Sequence, residues 1–310
     1  MLSVTFLGTA ASIPTIDRNV AGLAVQREGE MILFDCGEGN QRQMMRYGVG
    51  FAFREVFFTH YHADHLLGIT GLLRTMGLQD RSAPVTLYGP KGAQRILGAA
   101  ISLGIERNKF PIEILEIRAG DRLSRNDYDI LVFETEHRAD TVGYALAEHT
   151  RRGRFNPERA RSLGIPEGPL WGELHKGKSI RLEDGRTVTP EDLVGAPRPG
   201  RLVVYTGDTR PHESVVHASR GADLLIHEAT FGSDELERAH ETGHSTAAEA
   251  ARVAAEAGVR RLALTHISSR YNRDASELLA EARAVFPETV IARDGLTLDV
   301  PYADAVTAGS

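Results

Sequence analysis

A dense run of potential metal ligands constrains this chain more than any other feature. His60, His62, Asp64 and His65 follow directly on the apolar residues 56–58. His60 and His62 are two residues apart, so their rings point to the same side of an extended chain. Asp64 and His65 stand where the pattern predicts a turn into a helix, and they address a second point nearby. Four ligand-type side chains converge from one loop, which predicts a metal centre at the end of a strand.

The remaining ligands must also be histidine or carboxylate. The single cysteine, Cys36, excludes an intrachain disulfide and a zinc site built from several cysteines. His137, Asp208 and His266 each follow another predicted strand, and strand ends at one edge of a sheet are where sites assemble. Each of the three alone is typical of an ordinary loop residue. Together with the first motif they make five histidines and two aspartates, which two ions sharing Asp208 would use in full.

Apolar runs with strand character alternate with helical stretches along most of the chain, which predicts an α/β protein. The early strands lack helices between them, and this favours layered sheets of mixed strand direction over a doubly wound parallel sheet. Residues 148–200 interrupt the pattern with a polar stretch rich in glycine, proline and charge. So long a stretch inside one domain, residues 1–310, predicts a projecting functional insertion. We expect the tail at 304–310 to be frayed.

The charge of the chain bears on its partners. A net charge of -6 argues against a protein that coats DNA or RNA non-specifically. Residues 148–201 differ from the rest, with eleven Lys and Arg against eight Asp and Glu. No apolar stretch approaches the roughly 20 residues of a membrane helix, and the N-terminus lacks the pattern of a signal peptide. We therefore expect a cytoplasmic protein without a membrane or DNA partner.

Several longer segments share the motifs of one known family: residues 6–9, 34–39, 206–210, 227–231, 243–247 and 265–271. With the predicted metal ligands they resemble ribonuclease Z, the tRNA 3′-processing endonucleases of the metallo-β-lactamase fold. The similarity extends from about residue 4 to about residue 293. It implies an αββα sandwich of two mixed sheets, in which residues 148–200 form the arm, or exosite, that binds tRNA.

The resemblance also implies a cofactor, two zinc ions per subunit, with manganese and iron as alternatives. It places one ion on His60, His62, His137 and Asp208. It places the other ion on Asp64, His65, His266 and the shared Asp208. Two such ions, roughly 3.5–4 Å apart, activate water and stabilise the oxygens of an in-line phosphoryl displacement.

The resemblance implies an endoribonuclease that removes the 3′ trailer from precursor tRNA. The cut follows the discriminator nucleotide and leaves a 3′-hydroxyl on the tRNA and a 5′-phosphate on the trailer. Asp64 corresponds to the general base of the family. His244, oriented by Glu228, is the candidate that assists the departing 3′-oxygen; the alternative is that both only make local hydrogen bonds.

The resemblance points to two groups of RNA-binding residues. Arg18 and Asn19 lie in a loop associated with sensing the nucleotides after the discriminator, where many relatives have a basic residue in place of Ile16. The arm residues that could follow tRNA phosphates are Arg151, Arg152, Arg154, Lys176 and Lys178, for which the alternative is a solvated loop. Bacterial relatives act as homodimers, so we expect one here.

The metal ligands alone leave a second function open. They activate water without choosing the substrate, so a metallo-β-lactamase-fold phosphodiesterase or other small-molecule hydrolase would carry the same set. The arm and the motifs at 227–231 and 243–247 favour the tRNA enzyme.

Overall fold

The computed structural model describes residues 1–105 and 107–303, and the tail expected to be frayed lies outside them. The chain divides into two compact units. The larger unit comprises Met1–Ala147 and Arg201–Ser310, and the smaller unit is Glu148–Gly200. In the described part of the chain, no helix is long and apolar enough to cross a membrane.

The first sheet of the larger unit has seven strands. In chain order they are β1 (Leu2–Gly8), β2 (Gly22–Arg27), β3 (Glu30–Phe34), β4 (Glu55–Phe57), β5 (Val85–Gly89), β6 (Ile112–Glu116) and β16 (Thr297–Asp299). Their spatial order is β16-β1-β2-β3-β4-β5-β6. The pairs from β16 to β3 are antiparallel, and those from β3 to β6 are parallel.

The second sheet also has seven strands. They are β7 (Arg122–Ser124), β8 (Tyr128–Glu134), β9 (Val142–Glu148), β12 (Leu202–Tyr205), β13 (Leu224–Glu228), β14 (Leu262–Thr265) and β15 (Thr289–Ile291). Their spatial order is β15-β14-β13-β12-β9-β8-β7. The four strands from β12 to β15 are parallel, whereas β9 runs antiparallel to β12 and β7 to β8.

Helices cover the outer face of each sheet. They are α1 (Asn40–Arg46), α2 (Ala63–Leu66), α3 (Gly68–Leu78), α4 (Ala93–Ile101), α7 (Glu213–Ala218), α8 (Leu236–Thr242), α9 (Ala247–Ala257) and α10 (Ser276–Val285). One apolar cluster fills the space between the sheets. A second packs α1, α3 and α4 on the first sheet, and a third packs α7, α9 and α10 on the second. The predicted αββα sandwich of two mixed sheets is confirmed.

The central strands of the second sheet, such as β12 and β13, are apolar on both faces because the sheet is covered on both sides. In β8, Tyr128 and Ile130 join the cluster between the sheets, whereas Phe133 packs toward the helices. Polar residues begin where the strands end. His60 follows β4, and Asp208 and His266 follow β12 and β14, so the fold delivers the predicted ligands from strand ends of both sheets.

The smaller unit has its own secondary structure and core. It contains α5 (Pro157–Ser162), α6 (Pro169–His175) and a hairpin of β10 (Ile180–Arg181) with β11 (Thr187–Val188). Asn156 caps α5 by accepting a hydrogen bond from the Arg159 amide at 2.9 Å. The core residues all belong to this unit: Ala160, Ile165, Leu174, Ile180, Val188 and Leu193. Its two chain ends meet at Arg151 and Arg198, whose backbones exchange hydrogen bonds of 2.7 and 2.9 Å.

We expect Leu225→Ala to lower the free energy of unfolding by about 2–5 kcal/mol. Leu225 is fully buried in β13, between the second sheet and its helices, so the shorter side chain leaves a cavity. Leu103→Ala is the matched control, because Leu103 is 68% exposed, and it should change the free energy by less than about 0.5 kcal/mol. Urea unfolding measures both. Equal effects would contradict the assignment of the core.

Candidate metal centre

The seven predicted ligands lie together in two groups. The ligand atoms within each group lie within 4.8 Å of one another. The first group is His60, His62, His137 and Asp208. The second group is Asp64, His65 and His266. The structure thus brings together ligands that follow strands of different sheets, such as His60 after β4 and His266 after β14.

The carboxylate of Asp208 lies between the two groups. Its Oδ2 is 3.6 Å from Nε2 of His60 and 3.9 Å from Nε2 of His137. Its Oδ1 is 3.3 Å from Nε2 of both His65 and His266. Each oxygen therefore faces a different group, which is the arrangement of a carboxylate shared by two sites.

The second ring nitrogens of four histidines are held by hydrogen-bond acceptors. Nδ1 of His65 donates to Asp35 Oδ2 at 2.8 Å, and Nδ1 of His137 to the Gly243 carbonyl at 2.7 Å. Nδ1 of His60 and of His266 contact the hydroxyls of Thr59 and Thr230 at 3.0 and 2.9 Å. A proton on each Nδ1 leaves Nε2 with a lone pair directed at the cluster, as a metal ligand requires. His62 is reversed, because its Nδ1 faces Nε2 of His60 at 3.0 Å.

The buried groups of the cluster fit a cation. Oδ1 of Asp208 is buried and makes no hydrogen bond in the described part of the chain. Burial disfavours the charged form of Asp208, yet the rings of His266 and His65 hold its pKa well below its usual range. No Lys or Arg of residues 1–105 and 107–303 forms an ion pair with Asp64 or Asp208. Lone pairs and carboxylates facing one another in a buried space need positive charge between them, so histidine and aspartate here suit zinc, manganese or iron.

Asp35 is a functional residue that sequence reasoning missed. It follows β3, is 1% exposed and has a φ of +56°, a region that aspartate tolerates better than most residues. Its carboxylate accepts hydrogen bonds from the amide of Thr59 at 2.8 Å, from Nδ1 of His65 at 2.8 Å and from the hydroxyl of Tyr205 at 2.8 Å. Asp35 thus connects the first sheet, the ligand loop at residues 60–65 and the second sheet. Only its place in the 34–39 motif marks it in the sequence.

His244 and Glu228 form a pair beside the cluster. Nδ1 of His244 is 2.8 Å from Oε1 of Glu228, and its ring is stacked on that of His266 with centroids 5.3 Å apart. Burial disfavours the protonated ring, but the carboxylate outweighs it and raises the pKa of His244 to about 9. Glu228 is fully buried and also accepts from the Thr230 hydroxyl at 2.7 Å. The same carboxylate therefore contacts His244 and, through Thr230, the ring of His266.

Comparison with known proteins bears on the whole chain. A model of the beta-lactamase superfamily domain matches residues 171–267, and a model of the anti-Pycsar protein Apyc1 matches residues 2–150. Ribonuclease Z of Gemmatimonas aurantiaca is 58% identical over 305 residues, which cover 98% of this chain and 97% of the relative. The chain belongs to the ribonuclease Z family. Ribonuclease Z of Myxococcus xanthus is 56% identical over 305 residues, which cover 98% of this chain and 99% of the relative.

Solved structures agree with this membership of the ribonuclease Z family. The crystal structure of human tRNase Z, short form, matches with a TM-score of 0.70 and 26% identity, covering 96% of this chain and 99% of that chain. Yeast PDE1 matches with a TM-score of 0.63 and 13% identity, covering 96% of this chain and 99% of that chain. The second likeness shows the fold alone. The family predicted from the sequence motifs is confirmed.

Hydrogen bonds within the protein hold the loop that the resemblance to ribonuclease Z associates with RNA. Arg18 is 6% exposed, and its Nη1 donates to the hydroxyl of Thr9 and the carbonyl of Ala292, both at 2.7 Å. The Asn19 side chain donates to the Glu38 carbonyl at 2.8 Å. These contacts use Nη1 of Arg18 and the side-chain amide of Asn19, and the direct RNA contact that we expected of both residues stays a prediction.

The predicted RNA-binding residues of the smaller unit have partners within that unit. Arg152 Nη1 donates to the His175 carbonyl at 2.7 Å, and Arg151 donates to the Pro199 carbonyl. A carbonyl partner leaves the charge of Arg152 unneutralised. Lys176 and Lys178 both pair with Glu173, which offsets part of their charge. Arg154 also has an interaction within the structure.

We expect Asp35→Ala to destabilise the fold by about 2–5 kcal/mol, because four buried donors lose their shared acceptor: the amide and hydroxyl of Thr59, Nδ1 of His65 and the hydroxyl of Tyr205. Asp299→Ala is the matched control, since Asp299 is exposed on β16, and it should stay within about 0.5 kcal/mol of the wild type. Thermal and urea unfolding of both variants measure the difference. An Asp35→Ala variant as stable as the control would refute the joining role of this carboxylate.

Proposed function

We propose that this protein is a zinc-dependent endoribonuclease that removes the 3′ trailer from precursor tRNA. It cuts after the discriminator nucleotide, leaving a 3′-hydroxyl on the tRNA and a 5′-phosphate on the trailer. The observation that carries the proposal is full-length membership of the ribonuclease Z family together with a buried cluster of five histidines and two aspartates. Relatives named ribonuclease Z match over nearly their whole length.

The cluster would hold two ions through the side chains that converge there. One ion would lie on His60, His62, His137 and Asp208. The other would lie on Asp64, His65, His266 and the shared Asp208. Bound there, two divalent cations lower the pKa of water toward neutrality and stabilise the charge on phosphate oxygens.

The protein's own residues would move the protons. Asp64 is 8% exposed, and its Oδ2 accepts from the Ser12 amide at 2.8 Å and lies 3.2 Å from Nε2 of His266. Fixed in this way, it would accept the proton of the attacking water. His244 is held protonated by Glu228, so it would donate from its ring to the departing 3′-oxygen.

We further propose that the smaller unit is the arm that binds the tRNA body. Arg152, whose guanidinium donates to a carbonyl group, keeps its charge, which suits RNA phosphates recognised by shape rather than by base sequence. The homodimer and the cytoplasmic location are part of the same proposal and rest on the resemblance to the family.

The direct test of the reaction is incubation of the purified protein with a 3′-extended precursor tRNA, with and without a chelator. We expect one cut after the discriminator that the chelator abolishes and added zinc restores, because the aspartates and histidines cannot activate water alone. Sequencing of the new 3′-ends locates the cut. Hydrolysis of a small phosphodiester without any cut in the precursor would favour the small-molecule hydrolase instead.

We expect His244→Ala to lower kcat for precursor tRNA by about 100-fold to 10,000-fold, because a departing 3′-oxygen needs a proton. Hydrolysis of bis(p-nitrophenyl) phosphate should fall far less, since p-nitrophenolate leaves as a stable anion. His217→Ala, at an exposed position on α7, is the matched control. Metal content is measured alongside, because His244 also lies near Asp208 and His266. Equal losses on both substrates, or loss of metal, would contradict the acid role.

Removal of the arm separates binding of tRNA from chemistry. Replacing residues 151–198 by an Asn-Gly turn should preserve the larger unit, because β9 and β12 pair antiparallel and the removed core is separate. We expect loss of precursor cleavage with hydrolysis of bis(p-nitrophenyl) phosphate retained. A matched replacement of residues 183–186, in the β10–β11 turn alone, should retain both activities. If the folded deletion variant still processes precursor tRNA, the arm has no role in binding it.

A further inference from the structure

A cleft lined by arginines lies in the larger unit, beside the loop formed by residues 9–19. It encloses about 790 Å³. Its lining includes Asp17 and Arg18 of that loop, the end of α1 with Arg46, the start of α10, and the turn after β15 with Arg293 and Asp294. In all, five arginines and three aspartates line the cleft, in a chain whose net charge is -6. This is a local excess of positive charge.

The three carboxylates of this arginine cleft already accept hydrogen bonds from neighbouring residues of the protein. Asp294 accepts from the Thr9 hydroxyl at 2.8 Å and from the Asn19 amide at 2.6 Å. Asp17 accepts from the Asn272 side chain, and Asp274 from the Ser276 amide. These carboxylates shape the loops and are not paired with the arginines of the cleft.

Four guanidinium groups of the cleft keep hydrogen-bond donors for a ligand, although that of Arg46 also lies over the Tyr47 ring, 5.6 Å from its centroid. They belong to the exposed residues Arg46, Arg273, Arg283 and Arg293. In the described part of the chain none of the four forms an ion pair. Arg283 uses only its Nε, which donates to the Thr289 carbonyl at 3.0 Å. Exposed guanidinium groups around one cleft suit phosphate oxygens, which arginine can bind through two parallel hydrogen bonds.

The 9–19 loop connects the arginine cleft with the metal centre. The Ser12 amide donates to Oδ2 of Asp64, whereas Thr15 bonds the Asn272 side chain in the lining of the cleft. The six residues from His266 to Asn272 span at most about 20 Å. An RNA strand leaving the cluster past this loop would therefore reach the arginines within a few nucleotides.

We propose that the arginine cleft binds phosphates of the RNA strand downstream of the cut, the 3′ trailer. This proposal rests on the proposed function and adds a place for the product strand. Arginine contacts to phosphate carry no base sequence, so the cleft would accept trailers of any sequence. The contacts would raise affinity for long trailers and leave the chemical step unchanged.

The test compares Arg273→Gln/Arg293→Gln with a control on two precursors. The control is Arg95→Gln/Arg252→Gln, at exposed positions on α4 and α9 outside the lining of the cleft. One precursor has a single-nucleotide trailer, and the other has a trailer of about a dozen nucleotides, near the upper site sizes for single strands. We expect the cleft variant to raise KM for the long trailer about 10-fold with kcat unchanged, and to leave the short-trailer precursor unchanged. Its salt dependence on the long trailer should also fall by roughly 0.7 per lost contact. The control should match the wild type.

Two further arms identify the ligand. Fluorescence anisotropy with the free 5′-phosphorylated trailer should show binding to the wild type and the control that the cleft variant loses. Displacement of the trailer by the same concentration of inorganic phosphate would overturn the assignment to RNA, as would equal KM changes on both precursors or none. If the wild type binds the trailer through these arginines but cuts no precursor, the proposed function fails while the cleft stands. If the protein cuts precursor tRNA and the cleft variant shows no effect that depends on trailer length, the proposed function stands and the role of the arginine cleft fails.

Discussion

The rest of the site depends on the interaction of the Asp208 carboxylate with the histidines on its two sides. It is buried, and its two oxygens face two separate groups of imidazole nitrogens. A buried carboxylate surrounded by lone pairs is unfavourable without positive charge among them. The strands after which Asp208, His60 and His266 lie belong to both sheets. A cation held there would therefore join the two sheets of the sandwich at their common edge. Both the stability of this edge and the chemistry of the site would then require the cation.

Hydrogen bonds behind the ligands set the geometry in advance. Asp35 links Tyr205 of the second sheet to His65 of the ligand loop, and Glu228 links His244 to Thr230, which contacts His266. Each imidazole so held has lost the freedom to turn away or to change its tautomer. The cost of ordering these side chains is met by folding, so the site would need little rearrangement when a metal or an RNA phosphate arrives.

Local pattern predicts the parts of this structure that local sequence determines. The periodicity predicts a helix over 245–257, and the structure has α9 at Ala247–Ala257. Helices α7 and α8 have six and seven residues, which are too few for a periodic pattern to predict them. The seven ligands could be predicted because four of them stand together in sequence. Asp35 could not, because its partner Tyr205 is 170 residues away. The burial of Arg18 could not be predicted either, because charge in a loop does not show whether the fold covers the side chain.

We propose that two metal ions share Asp208, and crystals of the protein grown with zinc can locate them by measurement on both sides of the zinc absorption edge. We expect two anomalous peaks in each chain, one beside each oxygen of Asp208, with His60, His62 and His137 around the first and Asp64, His65 and His266 around the second. A single peak, or two peaks that leave Asp208 without a metal, would contradict it.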